Sequence, residues 1–163
     1  YWDLPSLHLM LTARHAGQQD ELIILNEQLL ASRESKELLF EDQQVGNALL
    51  KLLQQHHISI DAALLTQPSV CLGFAIAGHH YGIDQQSLLM GFCWTWCENQ
   101  VAAASKTLPL GQTQIQRILQ QLMHDIPGAV HTGLALDKTS MGNFYFFLGK
   151  PGEKPPLKTR KNP

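Results

Sequence analysis

The sequence is poor in charge, in long apolar runs and in cysteine. Charged side chains make up 16% of its 163 residues and the formal charge is −2, so no whole-chain attraction to nucleic acid is implied. The longest apolar candidate, residues 70–77, is broken by Gly73 and followed by His79 and His80, too short a run to span a bilayer. The opening YWDLPSLHLM has no basic n-region and no cleavage pattern, so it does not read as a signal peptide, and it lacks an initiator Met. The three cysteines, Cys71, Cys93 and Cys97, are an odd number without a leader, which argues for reduced thiols and a cytoplasmic setting. No phosphate-binding loop, GxGxxG, GxSxG or HExxH occurs, which leaves the common nucleotide, hydrolase and zinc-protease chemistries without a motif.

What is there is helical spacing. With 44% hydrophobic residues the chain has enough apolar material for one core. Asp3 or Leu4 is expected to cap a first helix, with Pro5 in its first turn, running to about His15 and ending at Gly17. Asp20 is expected to cap a second, with Leu22, Leu25 and Leu29 on one face. Residues 32–35 mark a break. A third helix carries Leu38, Val45, Leu49 and Leu52 as a stripe and ends near His56 and His57. Residues 59–67 form a connector with one short turn, and Pro68 suits the first position of the next helix. There Val70, Phe74, Ala77 and Tyr81 repeat at helical intervals, and Gly82 suits the left-handed position after the last turn.

Asp84 should cap the longest helix, about residues 85–107, with Ile83 and Leu88 placed as a hydrophobic staple and Leu89, Phe92, Trp96 and Ala103 along one side. Ile115, Ile118, Leu119 and Leu122 then make a further amphipathic helix, and a last short one is expected from Pro127 to Leu136. Sustained alternation is missing, apart from a weak case over residues 144–148. The expected class is all-α, a single-domain bundle of six or seven helices over residues 1–137. Residues 138–163 change character: Lys150, Lys154, Lys158, Arg160 and Lys161 stand against Glu153 among prolines, a composition expected to form a disordered basic tail.

Two segments carry unusual combinations. Residues 96–112, WCENQVAAASKTLPLGQ, place the polar pair Glu98–Asn99 in an otherwise apolar helix, where such a pair needs partners or costs stability. Small residues follow at 102–105, permitting close helix approach. Lys106 then stands at the helix C-terminus, where the macrodipole favours a cation. Pro109 leaves the helix, Gly111 allows a turn, and Gln112 opens the next helix. Residues 31–46, ASRESKELLFEDQQVG, hold Arg33, Glu34, Lys36 and Glu37, which read as a partner face or as a solvated helix face with pairs such as Arg33–Glu37.

Together these segments resemble the UreF family of urease accessory proteins. The resemblance rests on Trp94, Trp96, Glu98, Asn99, Ala102, Ala103, Ala104, Lys106, Pro109, Leu110, Gly111 and Gln112, and on Arg33, Glu34, Ser35, Glu37, Leu38, Glu41 and Gly46, with Asp3-Leu4-Pro5 as a weaker third block. Leu39 departs from it, standing where the family tends to have Arg. The resemblance spans roughly residues 3–136. The family's usual N-terminal segment would lie upstream of Tyr1, and its usual C-terminal tail is replaced by FYFFLGKPGEKPPLKTRKNP.

The resemblance implies a helical, usually dimeric, non-catalytic accessory protein. It would bridge UreD (also called UreH) and the GTPase UreG in the complex that delivers nickel to the urease apoprotein. It would regulate or couple GTP hydrolysis by UreG. No cofactor would be bound tightly, nickel and GTP being handled by the partner complex, and no nucleic-acid or membrane partner is implied. Partner-binding candidates carried over on these positions are Arg33, Glu34, Glu37, Glu98, Asn99, Lys106, Pro109, Gly111 and Gln112; there is no catalytic candidate.

Other readings stay open beside it. Lys106 is either a partner contact or a helix-end cation. Cys93 and Cys97 lie one helical turn apart and would be half of a metal site, or core thiols. His79–His80 and His56–His57 are adjacent pairs whose members point about 100° apart on a helix, a poor chelate. The basic tail is a solvated end or an anionic-partner site. A direct nickel-carrying helical protein and an all-α enzyme are the competing functions.

Overall fold

The computed structural model describes residues 2–135 and places six α-helices and one 3-10 turn in them. The helices are α1 (Asp3–His15), α2 (Gln19–Ala31), α3 (Lys36–Gln55), α4 (Val70–His80), α5 (Gln85–Thr107) and α6 (Gln112–Leu134). The 3-10 turn, Ala62–Leu65, lies in the connector expected there, with the Asp61 side chain accepting from the Ala63 amide. Among the described residues there is no strand, so the all-α expectation holds. The tail and the 144–148 segment lie outside the described residues.

The core is built around α4. VCLGFAIAGHH is apolar on every side, and a helix of that kind is stable only when surrounded. It packs on α1, α3, α5 and α2. Cys71, Leu72, Ala75 and Ile76 are buried against Leu7 and Met10 of α1 and Leu22 of α2 within one apolar core. Each fully buried Leu or Met of this kind contributes roughly 1.5–3 kcal/mol. Gly73 and Gly78 make the approach possible: a Cβ at Gly73 would lie 2.5 Å from the Leu49 side chain, and one at Gly78 2.6 Å from Leu88. The longest helices, α5 and α6, form an antiparallel pair that leans on α1.

Helix ends follow local chemistry. Ser35, Ser69 and Asp84 cap α3, α4 and α5, accepting from the amides of Leu38, Leu72 and Ser87. Gly17 and Gly82 take positive φ after α1 and α4, and the Ile83 amide reaches back to the Gly78 carbonyl. His57 holds the same left-handed position after α3, with φ +62°.

Several expectations are corrected. Trp2, not Asp3 or Leu4, precedes α1, and Asp3 is its first residue. Gln18 precedes α2, leaving Asp20 in the first turn. Pro68 lies outside α4, because Ser69 takes the cap. The α3 stripe is offset: Leu38, Val45 and Leu52 are about half exposed, while Asp42, Gly46, Leu50 and Leu53 are buried. The reason is Gly46, whose missing side chain lets the Pro68–Ser69 backbone approach on that face and turns the leucine stripe outward. On α4 likewise, Tyr81 is exposed. Pro127 does not begin a separate helix. It lies inside α6, which continues past it to Leu134, held by the buried Ile126 and Val130 on either side.

Candidate functional site

The two family-like blocks have opposite fates. The first, residues 31–46, is drawn inward. Arg33 lies in the loop between α2 and α3, not on a helix face, and the i,i+4 pair with Glu37 does not form. Its guanidinium instead joins three elements. One edge donates to both Asp3 oxygens, from Nη2 at 2.7 Å and Nη1 at 3.3 Å. Nε donates to Asp42 Oδ2 at 2.8 Å. The free Asp42 oxygen accepts the first amide of α4, that of Val70, at 2.8 Å. A carboxylate there also meets the positive end of the α4 dipole.

Burial works against the charge of Arg33, but the Asp3 and Asp42 carboxylates more than offset it and hold the guanidinium protonated beyond its ordinary range. Burial pushes the neighbouring Cys71 thiol well up, with Asp3 and Asp42 adding to the effect. That thiol points its weak donor at the Asp3 carbonyl, 3.7 Å away. Asn26 completes the cradle: its amide donates to the Gln67 carbonyl at 2.8 Å and its oxygen accepts from Ser69 N at 2.9 Å. The amides of Ser69, Val70 and Leu72 at the buried start of α4 therefore each have a side-chain acceptor, as burial demands.

Asp42 and Asn26 carry no signal in a count of apolar periodicity, and the sequence reading missed both. The clue available was position: Asp42 and Gly46 are four apart, on the stripe that Leu50 and Leu53 continue.

Glu34 and Glu37 of the same block stay exposed. The carboxyl of Glu37 lies below the usual range, held there by its own backbone amide and then by the Ser35 hydroxyl at the start of α3.

The second block is turned outward. Glu98 and Asn99 are exposed on α5, so the expected need for buried partners does not arise. Ala102 and Ala103 are exposed too, and Ala104 and Ser105 are only partly covered, so the small stretch is not a close helix contact along its length. Trp96, expected along one side of α5 with Leu89 and Phe92, is 57% exposed, whereas those two are buried. Lys106 lies exposed in the last turn of α5 and, among the described residues, has no ion-pair partner.

Pro109 lies in the open turn. Gly111 precedes α6 with φ −73°, a conformation any residue adopts, and its amide donates to Gln114 Oε1 at 3.0 Å. Gln112 starts α6, also exposed. The hairpin thus brings Lys106, Pro109, Gly111 and Gln112 into one surface turn, with Glu98 and Asn99 two turns back along α5. No hydrogen bond or ion pair among the described residues joins them to Glu34 or Glu37 on α3.

Among the described residues no three or more His, Cys, Asp or Glu side chains gather as a metal-holding group. Burial, and then Cys97, pushes the Cys93 thiol up to about 11, and burial also raises Cys97. Each must lose its proton to ligate a metal, and burial makes that loss harder than for an ordinary cysteine. His79 stacks obliquely on His15 at 5.0 Å, a neighbour the sequence did not suggest; burial, then the charges of Arg14, His15 and His80, lowers its pKa. The ring of His80 meets Tyr81 edge-on instead. No described helix is long and apolar enough to cross a membrane.

The comparisons agree with the residue-level resemblance. The UreF family model matches residues 1–123. The urease accessory protein UreF of Marinomonas sp. (strain MWYL1) is 39% identical over 140 residues, covering 86% of this chain and 61% of the relative. Those of Hahella chejuensis and Teredinibacter turnerae are each 41% identical over 141 residues, covering 86% of this chain and 64% of each relative. The chain thus spans somewhat under two thirds of the length of the curated relatives it matches. By the extent of the family match and by these identities, the chain belongs to the UreF family.

Proposed function

We propose that this chain acts in urease maturation as a non-catalytic adaptor in the cytoplasm, bridging UreD and the GTPase UreG in the complex that delivers nickel to the urease apoprotein. Nickel and GTP are handled by those partners, and the chain's part is to couple or regulate GTP hydrolysis by UreG, as one half of a homodimer. The names of its relatives support a place in urease maturation.

The observation that carries the adaptor reading is the split between the two blocks. Arg33 and Gly46 are consumed by the packing of α1, α3 and α4. Lys106, Pro109 and Gln112, with Glu98 and Asn99, are left on the surface with no structural task beyond ending one helix and starting the next. Charged and polar groups that the fold does not use are free for electrostatic recognition of a partner.

Co-purification with UreD, UreG and urease apoprotein tests the reading, with Lys106→Glu as the informative variant. The expected result is capture by the native chain and a loss of about tenfold or more in UreG affinity for the variant, a change of roughly 1.4 kcal/mol. A folded native chain that captures neither UreD nor UreG overturns the adaptor reading. Unchanged UreG capture by folded Lys106→Glu removes the hairpin from it. No observation among the described residues favours the metal-carrier or enzyme readings.

A further inference from the structure

Helices α1 and α4 run side by side in the same direction. At their starts the Cys71 thiol reaches the Asp3 carbonyl at 3.7 Å, and at their ends the rings of His15 and His79 meet with centroids 5.0 Å apart. The two C-termini therefore lie together, and each presents about half a negative charge from its helix dipole. At the starts, Asp3 and Asp42 meet the positive ends, with Arg33 between them. At the other end stand Arg14, His15, His79 and His80.

His79 has two histidine neighbours that differ in use. His80 follows it on the same helix, but the His80 ring meets Tyr81 instead. His15 comes from the other helix, and both His15 and His79 are exposed, so each ring can turn a nitrogen toward the space between them. Metal–nitrogen bonds of about 2.1 Å place each imidazole centroid roughly 3.2 Å from a shared ion, so two rings bound at about 90–109° stand about 4.5–5.2 Å apart. The observed 5.0 Å falls within that range.

We propose that His15 and His79 together chelate a divalent transition-metal ion of the Zn²⁺ type, and so clip the end of α1 to the end of α4. Imidazole suits this class of ion. Two protein ligands leave the remaining positions to water, so the ion exchanges and is not a tightly held cofactor. The two helix ends together supply about one negative charge, which offsets the Arg14 cation acting on His79. The role of such a clip is to hold two helices, not to deliver metal. It uses no residue of the α5–α6 turn assigned to UreG, so the two proposals stand or fall separately.

Acylation of histidine by diethyl pyrocarbonate, followed residue by residue in the full 163-residue chain, tests this. A metal-bound imidazole has no free lone pair to acylate. With Zn²⁺ at pH 7, His15 and His79 should lose reactivity together and at one shared midpoint, by about tenfold when the metal stands tenfold above its Kd. Exposed His56 and His124 should react as before. His15→Gln should raise the midpoint for His79 by at least about tenfold, and His79→Gln should do the same for His15, because a second ligand held beside the ion acts at high effective concentration.

Melting temperatures supply a second readout. Both substitutions fall on exposed side chains, so without metal the variants should melt close to the native chain. At a hundredfold excess of Zn²⁺ over its Kd the native chain should gain roughly 5 °C or more, and each variant clearly less. Undiminished reactivity of His15 and His79 at about 1 mM Zn²⁺ overturns the proposal. So does protection of His79 at the native midpoint in folded His15→Gln, which would give the ion to His79 without its partner on α1.

Discussion

Asp42 is held by Arg33 on one carboxylate oxygen and holds the first amide of α4 with the other, so one buried side chain ties the α2–α3 loop to the start of the central helix. The two groups are 7% and 18% exposed. A pair this sheltered stabilises chiefly because its rupture would leave a charge stranded.

Arg33→Ala and Asp42→Ala should each destabilise the chain by about 2–4 kcal/mol in urea unfolding. The double variant should lose clearly less than the sum, since each single change already breaks the shared contact. Arg33→Lys should not rescue, because an ammonium cannot serve Asp3 and Asp42 with a planar fork. Additive losses would show that the pair is not coupled.

Glycines should split by what their missing Cβ would meet. At Gly46 it would lie 2.3 Å from the Pro68 carbonyl oxygen, so Gly46→Ala must push α3 off the α4 cap and is expected to cost about 2–4 kcal/mol. At Gly91, inside α5, it meets nothing within 4 Å, and Gly91→Ala should stabilise by roughly 0.5–1 kcal/mol. Thermal melts of the two variants should move in opposite directions.

The cysteines should be slow to alkylate at neutral pH. Cys93, raised from the ordinary 9.0 to about 11, and Cys97, raised also, react as thiolates, so their iodoacetamide rates should keep climbing above pH 9. Because the folded chain favours the neutral thiols, the stability this gives is complete below about pH 9. It is lost as pH rises through the folded value of Cys93, about 11. A Cys93 rate that levels off near pH 8 would contradict this environment.

Pro127 removes one amide from the α6 ladder, the donor that would reach Met123, yet both flanks of the helix remain helical. Pro127 is exposed, so Pro127→Ala should restore the bond without touching the core. Amide exchange across residues 123–131 should slow, and the melting temperature should rise. Faster exchange there would mean that α6 needs the distortion.

The sequence alone determined what depends on near neighbours. Aspartate before an apolar run supplies an acceptor to a free helix amide, and glycine after one accepts a positive φ, so the expected cap at Asp84 and stop at Gly82 follow from local chemistry; the Ser35 and Ser69 caps obey the same rule, though the sequence reading named neither. The bounds of α5 were legible for that reason, and the family resemblance was legible from two short blocks.

Only the tertiary structure decided which face of each helix turns inward. The leucines of α3 make a continuous stripe, yet Gly46 gives the closer approach and leaves Leu38, Val45 and Leu52 half in water. Arg33 and Lys106 show the same limit from the other side. Each is a cation in a family-like block, but one meets two carboxylates brought from positions 3 and 42, and the other meets no described charge. Long-range pairing of that kind depends on how the chain returns on itself, which no spacing along the sequence encodes.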